Sequence, residues 1–232
     1  MAKQTRHPMH KPRRQNPARV FTRAALTSLA GLMLWATVIA EQSTTQEQTQ
    51  ENPSQQLQFA PSDINLPLPD GVDLQRGFRM ERYRAPVPQI NPGTEVVNTA
   101  RAYQLYRSGK VKFIDVYPPR GLGADPLDGS WVMSESHENI EGSTWLPEVG
   151  RGFLEDGHID YFERNLQIIS GGNKNTFLLF YCSADCWQSW NAARRALLWG
   201  YNNIFWYPEG TDGWKEENHT VVPAQPVNFL GE

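Results

Sequence analysis

The chain has 232 residues, of which 39% are hydrophobic, with 22 basic side chains against 25 acidic ones. That is enough apolar material for one core-forming domain. The acidic balance becomes strong only without the basic N-terminal segment, and it then argues against nucleic acid or an anionic lipid surface as a partner.

Charge is unevenly spread. Residues 1–40 carry Lys3, Arg6, Lys11, Arg13, Arg14, Arg19 and Arg23 and no acid. An apolar run from about Ala24 ends in Val38-Ile39-Ala40, the small-residue pattern of a signal-peptidase site. Residues 1–40 therefore read as a cleaved signal peptide, with an uncleaved N-terminal anchor as the alternative. Cleavage leaves 15 basic residues against 25 acidic ones, a net charge of −10. A membrane is a partner only if this segment stays attached.

Residues 41–58 are Gln-, Thr-, Glu- and Ser-rich, with Leu57 as the single apolar side chain, and read as a disordered tether. Residues 59–95 form a Pro-rich, irregular lead-in, in which Phe78, Met80 and Tyr83 are docking candidates. Arg76, Arg79, Arg82 and Arg84 make it locally basic, either as a solvated lead-in or as a patch for an anion or partner.

Alternating elements follow over residues 96–220. Val96-Val97 predicts a short strand. Thr99 is a candidate N-cap for a helix to about Arg107, closed by Gly109. Val111 to Val116 is a buried parallel strand by its apolar run. Tyr117 to Glu138 reads as loop. Asp156 to Ile169 is an amphipathic helix with Ile159, Phe162, Leu166 and Ile169 on one face. Phe177 to Tyr181 and Ile204 to Tyr207 are further strands. Between them lies a helix from Asp185 or Cys186 to Trp199, with Gly200 at C′. Asp212-Gly213 reads as a turn, and residues 221–232 as a C-terminal tail. The pattern predicts a single α/β domain with a mainly parallel central sheet flanked by helices.

The two cysteines, Cys182 and Cys186, sit between a strand and a helix. There, free backbone N–H groups and the helix dipole favour a thiolate. A bridge closing so short a loop would staple a domain weakly. The pair therefore reads as a local redox or nucleophilic site, with Cys182 attacking and Cys186 resolving. Ser183, Ala184, Asp185, Trp187 and Ser189 form the surrounding loop. Ser183 and Ser189 are candidate donors to the thiolate. Asp115, at the end of the neighbouring strand, is a candidate for the same crevice, though a structural carboxylate is the commoner outcome. His137 and His158 read as loop and helix-start residues. Two cysteines without nearby histidines do not make a metal site.

Phe113-Ile114-Asp115-Val116-Tyr117-Pro118-Pro119, Asn139 to Pro147, Tyr181-Cys182, Ala192-Ala193 through Ile204, and Trp206 to Trp214 together resemble the rhodanese fold in order and spacing. The resemblance places Cys182 at the family nucleophile and implies sulfurtransfer through a persulfide. This loop, however, lacks the family's glycine and arginine, and Asp185 and Trp187 stand in what would be an anion pocket. A narrower resemblance rests on Gly77-Phe78-Arg79, Tyr83 to Pro88, the Cys-x3-Cys-Trp motif, and Trp206 to Gly210 with Asp212-Gly213-Trp214. These are similar to the CXXCW-motif proteins of PQQ-dependent alcohol catabolism. That implies a periplasmic accessory protein, with a quinoprotein alcohol dehydrogenase or its cytochrome as partner. Three functions follow: thiol/disulfide redox, sulfurtransfer, or non-enzymatic binding of a partner or cofactor. Trp187, Trp190, Trp199, Trp206 and Trp214 are either core or a stacking platform for a planar cofactor such as PQQ.

Overall fold

The computed structural model describes residues 67–121 and 123–231. The expected signal peptide, the tether and the first part of the lead-in lie outside the described residues. In chain order the elements are β1 (Glu95–Val96), α1 (Thr99–Ser108), β2 (Lys112–Asp115), β3 (Gly123–Ala124), β4 (Trp131–Val132), β5 (His137–Ile140), β6 (Thr144–Trp145), α2 (Asp156–Ser170), β7 (Phe177–Tyr181), α3 (Trp187–Leu198), β8 (Asn203–Tyr207), α4 (Gly210–Glu216) and β9 (Val221–Ala224). The central sheet has five parallel strands in the order β1-β8-β7-β2-β6. Both faces are covered, as a parallel sheet requires.

Strand periodicity divides the core in two. Ile114, Leu178, Phe180, Ile204 and Trp206 join Phe162, Leu166, Trp190 and Ala193 on the α2/α3 side. Phe113, Leu179, Tyr181, Phe205 and Tyr207 join Ala102, Leu105 and Trp214 on the α1/α4 side. Neighbouring residues of one strand thus serve opposite layers. The register aligns Asp115, Tyr181 and Tyr207 across the C-terminal ends of β2, β7 and β8.

Helix ends follow local chemistry, with small departures from expectation. The N-cap of α1 is Asn98, whose side chain accepts the Arg101 N–H at 2.9 Å. Thr99, the expected cap, instead lies in the first turn, where its hydroxyl bonds Glu209 and Tyr207. Gly109 closes α1 and Gly171 closes α2, both in the left-handed region. Asp212-Gly213 is not a turn; it lies inside α4. The expected loop of residues 117–138 contains the β3–β4 hairpin and the start of β5. Two-residue strands carry no periodicity that a sequence could reveal.

The flanking segments pack onto this frame. β9 pairs antiparallel with β5, and Trp131 Nε1 and the Tyr161 hydroxyl both donate to the Val227 carbonyl. The lead-in lies along α3. Asn191, fully buried, accepts the Arg79 N–H at 2.9 Å and donates to the carbonyls of Arg79 and Gly150. Arg194 Nε donates to the Gly77 carbonyl at 2.9 Å. Arg195 holds the carbonyls of Val149, Arg151 and Gly152 and lies 4.2 Å from the Phe78 ring. Burial lowers its guanidinium pKa to about 10.

Candidate functional site

β7 ends at Tyr181, and α3 begins at Trp187. In the loop between them, Cys182 and Cys186 are joined by a disulfide. The bridge is enclosed: Cys182 is 0% exposed and Cys186 2%. Asp185 has φ +51, a left-handed conformation that aspartate tolerates better than most residues. The residue is exposed, and its carbonyl accepts the Ala85 N–H at 3.1 Å.

That contact belongs to a strap formed by residues 79–87. Arg84 bridges antiparallel to Cys186, and the Trp187 N–H donates to the Tyr83 carbonyl at 2.8 Å. Trp187 Nε1 donates to the Pro86 carbonyl at 3.1 Å, and the Arg79 guanidinium lies 5.0 Å from the Trp187 ring. Arg84 donates to the Ser183 hydroxyl and lies 5.2 Å from the Tyr117 ring. The cation missing from the loop's own sequence is thus supplied from 99 positions upstream. No local spacing could have revealed it.

On the other flank the loop is bound to α4. The Thr211 N–H donates to the Cys182 carbonyl at 2.9 Å, and Asp212 Oδ2 accepts the Ala184 N–H at 3.0 Å. A carboxylate therefore already occupies one donor of the loop that an anion would use. Gly210 has φ +55, and a Cβ there would run into the Cys182 carbonyl. Gly210→Ala is expected to cost about 1–3 kcal/mol and to disturb this loop before the rest of the fold. A thermal melt with hydrogen exchange at Ala184 checks it; an unaltered melt would refute it.

The predicted loop residues are brought together, but not in the expected roles. Ser183 is buried, with its Oγ 3.9 Å from Cys182 Sγ. Ser189 does not serve the thiol: its hydroxyl donates to the Cys186 carbonyl and accepts from Trp206 Nε1, both at 3.0 Å. Trp187 is core, packed against Trp190, and Asp185 is exposed. The loop follows Tyr83 and Ala85 of the strap instead. Trp187, Trp190, Trp206 and Trp214 are buried; Trp199 is half-buried and lines a small pocket with Lys174 and Tyr201, apart from the cysteine loop.

Asp115 and Cys182 do not share a crevice. Asp115 pairs with Tyr181 across the sheet, so Cys182, one residue further on, faces the opposite layer. Asp115 is buried and binds His137 Nε2 at 2.6 Å and the Tyr117 N–H at 2.8 Å. His137, read as a loop residue, is in β5. It lines an open crevice of about 470 Å³ together with Arg84, Tyr117, Ser183, Asp212 and Lys215.

Burial pushes the Asp115 carboxyl up from 3.8, against the pull of His137 and the Tyr117 N–H. A carboxyl raised on folding contributes stability that is full below its unfolded value and is lost as pH rises through the folded one. Asp115→Asn is expected to flatten that fall, seen as a smaller change in Tm between the acidic range and neutrality. An identical pH profile in variant and parent would contradict it.

The Rhodanese-like domain model matches residues 98–217, and the chain belongs to that family. No curated protein matches it. Among solved structures it is similar to a 30 kDa polysulfide-sulfur transferase homodimer from Wolinella succinogenes, at 15% identity and TM-score 0.37, covering 56% of this chain and 79% of that one. It is also similar to a Rhodopseudomonas palustris protein described as a possible tyrosine phosphatase, at 20% identity and TM-score 0.36, over 56% of this chain and 85% of that one. A third is an uncharacterized Saccharomyces cerevisiae protein, at 20% identity and TM-score 0.34, over 53% and 92%. At such scores they bear on neither substrate nor reaction.

Proposed function

We propose that this protein is an exported, periplasmic accessory of PQQ-dependent alcohol oxidation whose rhodanese-like domain carries a thiol/disulfide pair. The observation that carries the redox reading is the disulfide itself. It joins Cys186 to the residue at the family nucleophile position, beneath a strap. The narrower resemblance is supported by convergence. Tyr83 to Pro88 and Gly210 are distant in sequence from the Cys-x3-Cys-Trp loop yet pack against it, and Gly77-Phe78-Arg79 packs on the α3 helix that the loop opens.

In the reduced protein, the Cys182 thiolate attacks one sulfur of a partner disulfide, and the other partner sulfur leaves as a thiolate. Cys186, as thiolate, then attacks Cys182 Sγ and displaces the second partner thiolate. The partner gains two electrons and becomes a dithiol, and the Cys182–Cys186 bond is formed. The reverse sequence resets the pair. Either direction requires the strap to lift, because neither sulfur is exposed. A quinoprotein alcohol dehydrogenase or its cytochrome is the partner class that the resemblance supports.

The test is trapping in the periplasm of an alcohol-grown host. Cys186→Ser is expected to accumulate a mixed disulfide through Cys182, and Cys182→Ser is not. Equal trapping by both variants, or by neither, would count against the assignment. Sulfurtransfer has weaker support: in the bridged state Cys182 has no thiol to carry a persulfide, and Asp212 holds the Ala184 N–H. Thiosulfate–cyanide turnover by the oxidised protein is expected to match that of Cys182→Ser. Cysteine-dependent turnover would favour the sulfurtransferase instead.

A further inference from the structure

The open crevice holds a pair of groups that disulfide chemistry does not use. Asp115 is fully buried, with one oxygen on the Tyr117 N–H and the other 2.6 Å from His137 Nε2. The imidazole stacks on the Tyr117 ring, at 4.5 Å, and lies tilted against the Trp145 ring, at 4.4 Å. A carboxylate on Nε2 makes that nitrogen the donor and leaves Nδ1 as the acceptor. Among the described residues no group bonds Nδ1, and the side chain stays 11% exposed where it lines the crevice.

The charges around it are mostly spoken for. Lys215 is paired with Glu138 at 2.9 Å, and Arg120 with Glu135 at 3.0 Å. Asp212 accepts the Ala184 N–H. Arg84 differs. Its described partners are the Ser183 hydroxyl, the Ala184 carbonyl and the Tyr117 ring, and only one of its guanidinium nitrogens is used in hydrogen bonds. It is a cation with donors to spare and no carboxylate. The crevice, about 470 Å³, is within the roughly 300–1,000 Å³ typical of small-molecule sites.

We propose that this crevice is a binding site for a small hydroxycarboxylate. The ligand carboxylate takes the free N–H groups of Arg84, and its hydroxyl donates to His137 Nδ1. Asp115 is a positioning residue that fixes the imidazole tautomer. The site borders the disulfide loop, since Ser183 lines it and Arg84 bridges to Cys186, so it is formed in the oxidised protein.

The experiment is a ¹⁵N NMR titration of the imidazole of the oxidised full chain, with glycolate, acetate and inorganic phosphate as probes. Glycolate is expected to shift the His137 Nδ1 resonance, and acetate to leave it in place. His137→Gln is expected to remove the preference for glycolate over acetate. Arg84→Met is expected to weaken glycolate about tenfold, the loss of one charge-assisted hydrogen bond. Asp115→Asn is expected to mix the imidazole tautomers before ligand is added; a single unchanged tautomer would remove Asp115 from its role. No shift with glycolate through the millimolar range would overturn the site. Equal response to acetate, or tighter binding of phosphate, would overturn its assignment to hydroxycarboxylates.

Discussion

Reducing the Cys182–Cys186 bond is expected to free the strap of residues 79–87 while leaving the five-stranded sheet intact. The strap is held by backbone groups that the bridged loop presents: the Asp185 carbonyl to the Ala85 N–H, and the Trp187 N–H to the Tyr83 carbonyl. Both groups lie in or just after the segment that the disulfide closes. Asp185 is left-handed in the bridged loop, and opening the bond is expected to release that conformation and with it the direction of the carbonyl. Each such hydrogen bond is worth about 1 kcal/mol net, so losing two lowers exchange protection by tenfold or more. The amides of Ala85 and Trp187 should show this loss on reduction. Those of β7 and β8 should not, because their sheet partners are unaffected. Equal protection of Ala85 in both redox states would mean that the strap does not respond to the bond.

Asn191→Leu is expected to destabilise the protein by about 3 kcal/mol or more. The side chain is fully buried and makes three hydrogen bonds, two to Arg79 and one to the Gly150 carbonyl. Leucine fills similar space but leaves the Arg79 N–H and two carbonyls without partners. Each buried orphan costs about 1–3 kcal/mol, and local relaxation recovers part of that. The loss should appear as a shifted denaturation midpoint with little change in slope. It should also loosen the strap, whose entry at Arg79 this residue fixes. A shift within about 0.5 kcal/mol, the range of an ordinary surface change, would refute the role.

The fold was legible because its strands are short apolar runs and its helices carry one apolar face. Phe177 to Tyr181 and the Phe162/Leu166 face are examples, and glycines mark the ends. Hence the α/β architecture and the position of Cys182 at a strand end were readable. The site was legible only in part, because side chains and carbonyls from distant segments complete it. Arg84 reaches Ser183 from the lead-in, and Asp212 reaches Ala184 from α4. The Asp115–His137 pair was split between a strand and an expected loop. His137 enters β5 only because the C-terminal segment pairs with it as β9, a contact with no local signal. Proximity also misled: Asp115 and Cys182 end adjacent strands, yet a one-residue offset turns them to opposite layers.

The most direct test is thiol counting by mass spectrometry on the purified protein, alkylated when denatured, before reduction, after reduction, and after re-oxidation. A reversible Cys182–Cys186 pair predicts no free thiol as isolated. It predicts two modified cysteines after reduction, and none again after a mild oxidant. Two thiols that stay free in the presence of oxidant would contradict it.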